Sequence, residues 1–285
     1  MTPFELAEPK SLREAIELLD PNDTAVRPMS GGTALMLMMK AGVLRPTRLV
    51  SLRNIGLEST DVGPAGELRI GAMTRLRAIE RSDLVRRGWP VITRALRTLS
   101  NVRVRNVARV GGGLAHADPH MDLPPLLAAL GARVTIENAK GKRTIPVEEI
   151  STGYLETSLR LNELITLLEV PPLAGRSAAY LKCTTRSADD WPAVGIAVAL
   201  SFEKDLIQEV KLVISAATDR PTRLAAAEKT LKGKRIDDKL LKQAGEAAAE
   251  EAAIVGDLHG SEIYKKQLIR VYVARAINEA CAKSH

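Results

Sequence analysis

Leu12, Ala15, Ile16 and Leu19 recur at the three- and four-residue spacing of one helix face, and Ser11 with Glu14 three positions on forms a capping box ahead of them. Asp20-Pro21-Asn22 ends that helix. An extended run over 25–29 leads through Ser30-Gly31-Gly32-Thr33 into a helical composition over 34–40 that Gly42 closes, giving a strand, a glycine turn and a helix. Strands are predicted over 48–52 and 68–73, followed by helical patterns over 75–85 and 91–99. A second glycine cluster, VGGGLAHADPHMD, reads as a loop running into a short helix over 123–130. Asp122 is suited to cap that helix, Pro124 is tolerated in its first turn, and Gly131 follows its end. Alternating patterns predict further strands over 133–137, 142–146 and 164–170.

Pro171-Pro172-Leu173-Ala174-Gly175 marks a boundary, because the prolines halt a strand and the glycine frees a turn. Strands over 178–184, 195–202 and 209–216 come next, then helices over 222–231, 237–253 and 261–282. Strands first and helices afterwards is the order of an α+β domain. The length of 285 residues agrees with about two domains of roughly 150 residues.

Composition narrows the functional classes. The eight aromatic residues offer few stacking platforms for single-stranded nucleic acid. The net charge of +7 is local: residues 75–109 hold ten arginines against Glu80 and Asp83, a sum of +8, so the remainder carries about −1. Helical arginines in that segment are expected to offer a basic docking face to partner proteins, or else a solvated one. The opening MTPFELAEPK has no basic leader followed by an apolar stretch, and the longest apolar run, 193–200, is too short to span a bilayer, so a soluble, cytoplasmic protein is expected. Cys183 and Cys281 are too few for a disulfide framework or an iron–sulfur cluster.

Two glycine-rich segments can present bare backbone N–H groups to an anion at a helix start, although paired glycines also simply make turns. Neither fits G-x-G-x-x-G, and no G-x-x-x-x-G-K-[ST] occurs. His116, Asp118, His120 and Asp122 alternate along the chain, which on an extended backbone would aim all four to one side; a metal site, a capped turn and a ligand-lining loop all remain open. Lys182 alternates with Leu181 and Cys183, so on a strand it points away from them, toward solvent or a bound anion. No nucleophile–base arrangement stands out, and no residue is assigned as catalytic or as a metal ligand.

Taken together, the two glycine segments resemble the two flavin-binding motifs of the FAD-binding medium subunit of the molybdenum hydroxylases, the carbon monoxide dehydrogenase and xanthine dehydrogenase family. SGGTALMLMMK over 30–40 resembles A-G-G-x-S/T-x-L-x-P-x-M-K, and RNVARVGGGLAHADPHMDLP over 105–124 resembles R-N-x-G-T-x-G-G-N/S-L-A-H-A-D-P-x-x-D-L-P. The likeness extends through ELITLLEVP, the YLK segment and the C-terminal GDLHGSEIYKKQLIRVYVARAINEA. It implies an α+β fold with a two-part FAD-binding domain of the molybdopterin dehydrogenase (PCMH) type over 1–174, with parts at about 1–57 and 58–174. A C-terminal domain of antiparallel sheet and helices over 175–285 is implied after it.

The resemblance further implies that Gly31, Gly32, Thr33, Ala34 and Leu35 line one side of the FAD diphosphate and Gly111, Gly112 and Gly113 the other. Asp122 and Ile165 then lie beside the flavin and Lys182 near the cofactor. Electrons are implied to enter from 2Fe–2S clusters of a small subunit and leave to NAD, a quinone or oxygen, with substrate oxidation on a molybdopterin-containing large subunit. Three positions depart from the pattern: Ala108-Arg109 replaces Gly-Thr, and Gly113 replaces Asn or Ser. Arg109 is expected to supply charge to the diphosphate in place of the threonine hydroxyl. The same departures leave a flavin-free structural or assembly subunit as the alternative.

Overall fold

The structure, a computed structural model, describes residues 2–282; the last three positions of the expected second domain lie outside them. The chain opens with β1 (Glu5–Ala7), α1 (Leu12–Glu17), β2 (Val26–Met29), α2 (Leu35–Lys40) and β3 (Arg48–Ser51). The strands pair in parallel in the order β1-β3-β2, the arrangement that crossover helices impose. Ser11 Oγ accepts the Glu14 N–H at 3.2 Å, while the Glu14 carboxylate reaches back to the Lys10 N–H instead of that of Ser11. Ala15, Ile16 and Leu19 close a small core with Val26, Val50 and Leu52.

The middle of the chain holds β4 (Thr60–Val62), β5 (Leu68–Gly71), α3 (Leu76–Arg81), α4 (Asp83–Gly88), α5 (Pro90–Thr98), α6 (Val102–Val107), α7 (Val110–His116), α8 (Leu123–Leu130), β6 (Arg133–Asn138), β7 (Gly141–Pro146), β8 (Ser151–Gly153), β9 (Glu156–Thr157) and β10 (Leu164–Val170). An antiparallel sheet runs β4-β5-β10-β6-β7. The helical pattern over 75–85 breaks in two, because Ser82 is extended and its hydroxyl caps α4 on the Val85 N–H. Residues 111–113 correct the sequence expectation more sharply, since all three glycines lie inside α7 and not in a loop. Glycine disfavours a helix by about 1 kcal/mol per residue, and here packing outweighs it. A Cβ on Gly111 would stand 2.7 Å from Ala72 Cβ, so only glycine lets this turn of helix seat against the end of β5.

The last part consists of β11 (Ser177–Thr184), β12 (Pro192–Glu203), β13 (Leu206–Ser215), β14 (Thr222–Arg223), α9 (Ala225–Leu231), α10 (Asp238–Glu251) and α11 (Glu262–Ala282). The sheet is antiparallel in chain order. Thr222 and Arg223 pair with β13 instead of opening the helix, which delays α9 by three residues against expectation.

Helices cover both faces of this sheet, and that explains the unbroken apolar run of β12, buried from Pro192 to Leu200. One face presents Ile196, Val198, Leu212 and Ile214 to α9 and α11, with α10 packed on those two helices. The other presents the small residues Ala178, Ala197 and Ala199 to α8. Helix α8 is therefore apolar all round, since it is packed between the middle sheet and the last one.

Close approach also governs the helical layer: a Cβ on Gly245 would stand 2.4 Å from Arg270 O across the α10–α11 contact. Gly245→Ala is expected to lower stability by about 1–3 kcal/mol through overpacking. Gly88→Ala, where a Cβ meets nothing within 4 Å, is expected to raise it by about 0.4–1 kcal/mol. Chemical denaturation of both variants measures the two signs.

Candidate functional site

Tertiary structure brings the two glycine segments together. Ser30 and Gly31 follow β2 at the carboxyl end of the parallel sheet, the place where open α/β sheets take ligands. A Cβ on Gly31 would stand 2.5 Å from Val107 O, and one on Gly112 would stand 3.0 Å from Ser30 Oγ. Gly32 has a φ of +74°, and its carbonyl accepts the Met36 N–H as Thr33, Ala34 and Leu35 carry the chain into α2. The Gly111 N–H donates to Ala72 O at 2.9 Å, and the Ala72 N–H donates to Thr166 O at 3.0 Å. That chain of bonds sets Ile165, buried on β10, next to the start of α7. Gly113 faces open space, with nothing within 4 Å of a Cβ placed there.

Arg109 immediately precedes α7 and forms an isolated antiparallel bridge with Arg75. The arginine-rich segment is thus a helical excursion that leaves and returns at one point. Its charges are not all on a free face: Arg105 is buried, bonded to Glu80 and to the carbonyls of Leu99 and Ser100, while Arg77 shares Glu80 and Arg86 pairs with Asp83. At the base, the Arg109 side chain is 9% exposed and lies 3.2 Å from Glu58 Oε1. Its Nε and Nη1 are nevertheless buried without a hydrogen-bond acceptor. Burial lowers the Arg109 pKa, as do Arg75 and Arg53, and Glu58 opposes them.

Asp122 begins α8 but does not cap it. Its backbone is already helical and its side chain makes no capping bond. The carboxylate instead accepts from Tyr180 Oη at 2.7 Å and Lys182 Nζ at 2.9 Å. Tyr180 and Lys182 share the face of β11 that looks toward α8, so Lys182 points away from Leu181 and Cys183 as alternation requires, yet it meets neither solvent nor a free anion. Its ammonium also donates to the carbonyls of Thr98 and Asp190. Gly195 lies opposite Lys182, and a Cβ there would stand 2.7 Å from the Tyr180 hydroxyl. Burial raises the pKa of Asp122 against the pull of Lys182 and Tyr180, and burial with the Asp122 charge pushes the Tyr180 phenol well up. On the far side of Lys182, between α5 and β11, a cavity of about 250 Å³ is lined by Arg94, Thr98, Lys182, Thr184 and Glu279.

The alternating His116–Asp122 run is not extended. His116 ends α7, Ala117 is left-handed at φ +52°, and Asp118 accepts from the His120 N–H in a tight turn. The His120 ring lies between two carboxylates, Nδ1 at 2.9 Å from Asp118 and Nε2 at 2.9 Å from Asp257, and it stacks on Trp191. Asp257 also pairs with fully buried Lys265, which donates to Ala216 O. Asp118 and His116 lie in the middle part of the chain, Asp257 and Lys265 in the last. Among the described residues no group of three or more His, Cys, Asp or Glu is arranged to hold a metal ion.

Two family models match the chain: the FAD binding domain in molybdopterin dehydrogenase over residues 2–173, and the CO dehydrogenase flavoprotein C-terminal domain over 179–280. The chain belongs to the FAD-binding medium-chain family of the molybdenum hydroxylases. The glyceraldehyde dehydrogenase medium chain of Sulfolobus acidocaldarius is 30% identical over 276 residues, 97% of this chain and 98% of that one. Among solved structures, carbon monoxide dehydrogenase from Hydrogenophaga pseudoflava aligns with a TM-score of 0.94 at 31% identity, covering 99% of both chains. Quinoline 2-oxidoreductase from Pseudomonas putida 86 aligns at 0.93 and 28% identity, covering 99% and 98%.

The chemistry of the junction fits the family's cofactor. Backbone packed too tightly for any Cβ, an open flank at Gly113 and a buried guanidinium with spare donors suit an anionic group. Ser30 adjoins Gly112, and Gly31 adjoins Val107 and Ala108, the residues just before Arg109. Asp122 and Lys182 form a separate pair, and Ile165 stands on the strand beneath α7. Glu58, Asp257 and Lys265 have no signal in the local sequence, because each gains its role from a distant partner: Arg109, His120 and the Ala216 carbonyl.

Lys182→Met is expected to destabilise the protein by about 3–5 kcal/mol, because it leaves the Asp122 charge buried without its cation. Asp122→Asn in the same chain is expected to recover part of that loss, read by denaturant unfolding. The His120 contact yields a pH dependence. Its partners Asp118 and Asp257 raise the imidazole above 6.5 against the effect of burial, and Asp257 falls from 3.8 to about 2. A raised histidine contributes stability below 6.5 and loses it as pH rises through the folded value; a lowered carboxylate contributes above 3.8 and loses it as pH falls toward 2. His116, whose pKa burial lowers against the pull of Asp118, completes the charged surroundings with His259 and Lys265. His120→Gln is expected to reduce the melting temperature most between these limits and to flatten its decline on the alkaline side.

Proposed function

We propose that the chain is the electron-transfer subunit of a molybdenum-containing hydroxylase or dehydrogenase complex, standing between 2Fe–2S clusters of a small partner subunit and an external acceptor such as NAD, a quinone or oxygen. Substrate oxidation belongs to a molybdopterin-containing large subunit, and no side chain of this chain acts as a catalytic acid or base. FAD, when bound, supplies the capacity to take up electrons singly and pass them on in pairs. The chain's own residues hold and orient it. Gly31, Gly32, Thr33, Ala34 and Leu35 border one side of the diphosphate, and Arg109, Gly111, Gly112 and Gly113 the other. Asp122, Ile165 and Lys182 serve the flavin end, where the Asp122–Lys182 pair keeps a cation in place without leaving it unbalanced.

The junction of the two glycine segments carries this reading: Gly31 against Val107 O and Gly112 against Ser30 bring two segments distant in the chain into direct contact, where backbone N–H groups of both can face one anion. The relatives, medium chains of dehydrogenases and a hydroxylase, support the place in a complex. On this reading the flavin domain spans 1–174, with parts at about 1–57 and 58–174, and a second domain spans 175–285. The complex is placed in the cytoplasm on the same reading; among the described residues no helix is long and apolar enough to cross a membrane.

The purified chain is expected to be yellow and to release one FAD per polypeptide on acid extraction. A colourless yet folded protein would overturn the proposal in favour of a flavin-free assembly subunit. Gly31→Val is expected to abolish flavin retention, because its side chain would drive the two segments apart at Val107.

A further inference from the structure

His120 is held in a way that a neutral imidazole does not satisfy. Its Nδ1 lies 2.9 Å from Asp118 Oδ1 and its Nε2 lies 2.9 Å from Asp257 Oδ2. An ionised carboxylate accepts hydrogen bonds and donates none, so both ring nitrogens must carry a proton, and only the imidazolium does. The charges around the ring agree. Asp118 and Asp257 supply −2, Lys265 on α11, 2.7 Å from Asp257, supplies +1, and a protonated His120 brings the sum to zero. His116 at the end of α7 and His259 in the turn before α11 are the other titratable groups that face this cluster. Burial works against charge on His120, but the bonds to Asp118 and Asp257 outweigh it and hold the imidazole above its ordinary value.

The same ring carries the loop between β11 and β12. Trp191, half exposed, stacks on His120 with ring centroids 5.3 Å apart and planes 18° apart, and it lies tilted against His259 at 6.4 Å. A cation over an indole is attracted by the π face, and the attraction weakens when the charge is lost. One residue earlier, the Asp190 carbonyl accepts from Lys182 Nζ at 3.1 Å, and Ala188 lines the cavity between α5 and β11. Other charges of the loop are engaged within it: Arg186 faces Asp190 at 3.8 Å, and Asp189 accepts from the Ser187 hydroxyl at 2.6 Å. We propose that His120 and Trp191 form a proton-operated latch, closed while the imidazole is charged, that holds the 185–191 loop against Lys182 and beside the adjoining cavity. Loss of the proton leaves a lone pair on Nε2 facing Asp257, which keeps its bonds to Lys265 and the His259 N–H, while the remaining proton stays on Nδ1 within the Asp118 turn. Trp191 then loses its cation, and the loop is freed at that end. The latch is closed below pH 6.5 and opens as pH rises through the higher value of the folded protein. It stands independently of the flavoprotein reading.

Tryptophan emission of the purified chain between about pH 6 and 9, with that of Trp191→Phe subtracted to remove buried Trp89, tests the latch. Trp191 emission is expected to rise and move to the red with a midpoint above 6.5, because a stacked imidazolium quenches the indole and a freed ring meets water. His120→Gln is expected to abolish the transition, and Asp257→Asn to lower its midpoint. Trypsin cleavage after exposed Arg186, scaled at each pH to that of a free peptide, follows the loop itself. The unsubstituted protein is expected to be cut roughly 10- to 150-fold more slowly than Trp191→Ala at the acid end, the factor that a bond to a charged group supplies, and as fast as Trp191→Ala at the alkaline end. Trp191→Ala alters a half-exposed position and leaves the carboxylate contacts in place, so it decides the matter even where His120→Gln fails to fold. Emission that does not titrate, or that titrates unchanged in His120→Gln, overturns the latch. So does equal cleavage of the unsubstituted protein and Trp191→Ala at every pH, which leaves a charged seam that holds no loop.

Discussion

A buried carboxylate–ammonium pair joins the halves of this molecule. Asp122 opens α8 and Lys182 stands on β11, so their contact at 2.9 Å pins an apolar helix to the sheet of the following part. Burial of two charges repays its desolvation only with good geometry and further hydrogen bonds. Tyr180 and the carbonyls of Thr98 and Asp190 provide them. The small side chains at Ala178, Ala197 and Ala199 and the missing one at Gly195 let α8 and the Tyr180 hydroxyl come close enough for the pair to form. Hydrophobic burial around α8 supplies the bulk of the driving force, and the ion pair selects one orientation for it.

A second contact across the same seam runs from Asp118 through His120 to Asp257 and Lys265. Both contacts arise from the thirteen-residue stretch over 110–122 that also contains the glycines of the second segment. That stretch is thereby tied on one side to the end of β2, through Gly112 and Ser30, and on the other to the last sheet and α11. Such anchoring gives this segment a defined shape of its own, the condition under which association carries a reduced ordering cost. Of the ten arginines in the segment over 75–109, Arg77 and Arg105 pair with Glu80 and Arg86 with Asp83, while Arg75 and Arg109 meet at its base beside Glu58.

Long periodic segments were legible without coordinates. The helix over 123–130, the strand over 164–170 and the helix over 261–282 stand where their patterns put them, because a single buried face or a fully buried run dictates each. Short elements were not: β1, β4, β8 and β9 have two or three residues each, too few for a period, and they exist through their partners. The glycines at 111–113 read as a loop by propensity and form a helix by packing, an instance of close backbone approach overriding local preference.

The order of residues by itself determined the α+β class, the two glycine segments, the family they resemble and the concentration of positive charge before the second segment, since each is a matter of local pattern or composition. Only the tertiary structure decided that Asp122 binds Tyr180 and Lys182 instead of capping α8, that His120 sits between carboxylates, and that Arg109 is buried with donors to spare. Those outcomes depend on which side chains meet across 50 to 140 positions of chain, and the free energy of a buried charge depends on all of its neighbours at once, a quantity that no local window of sequence contains.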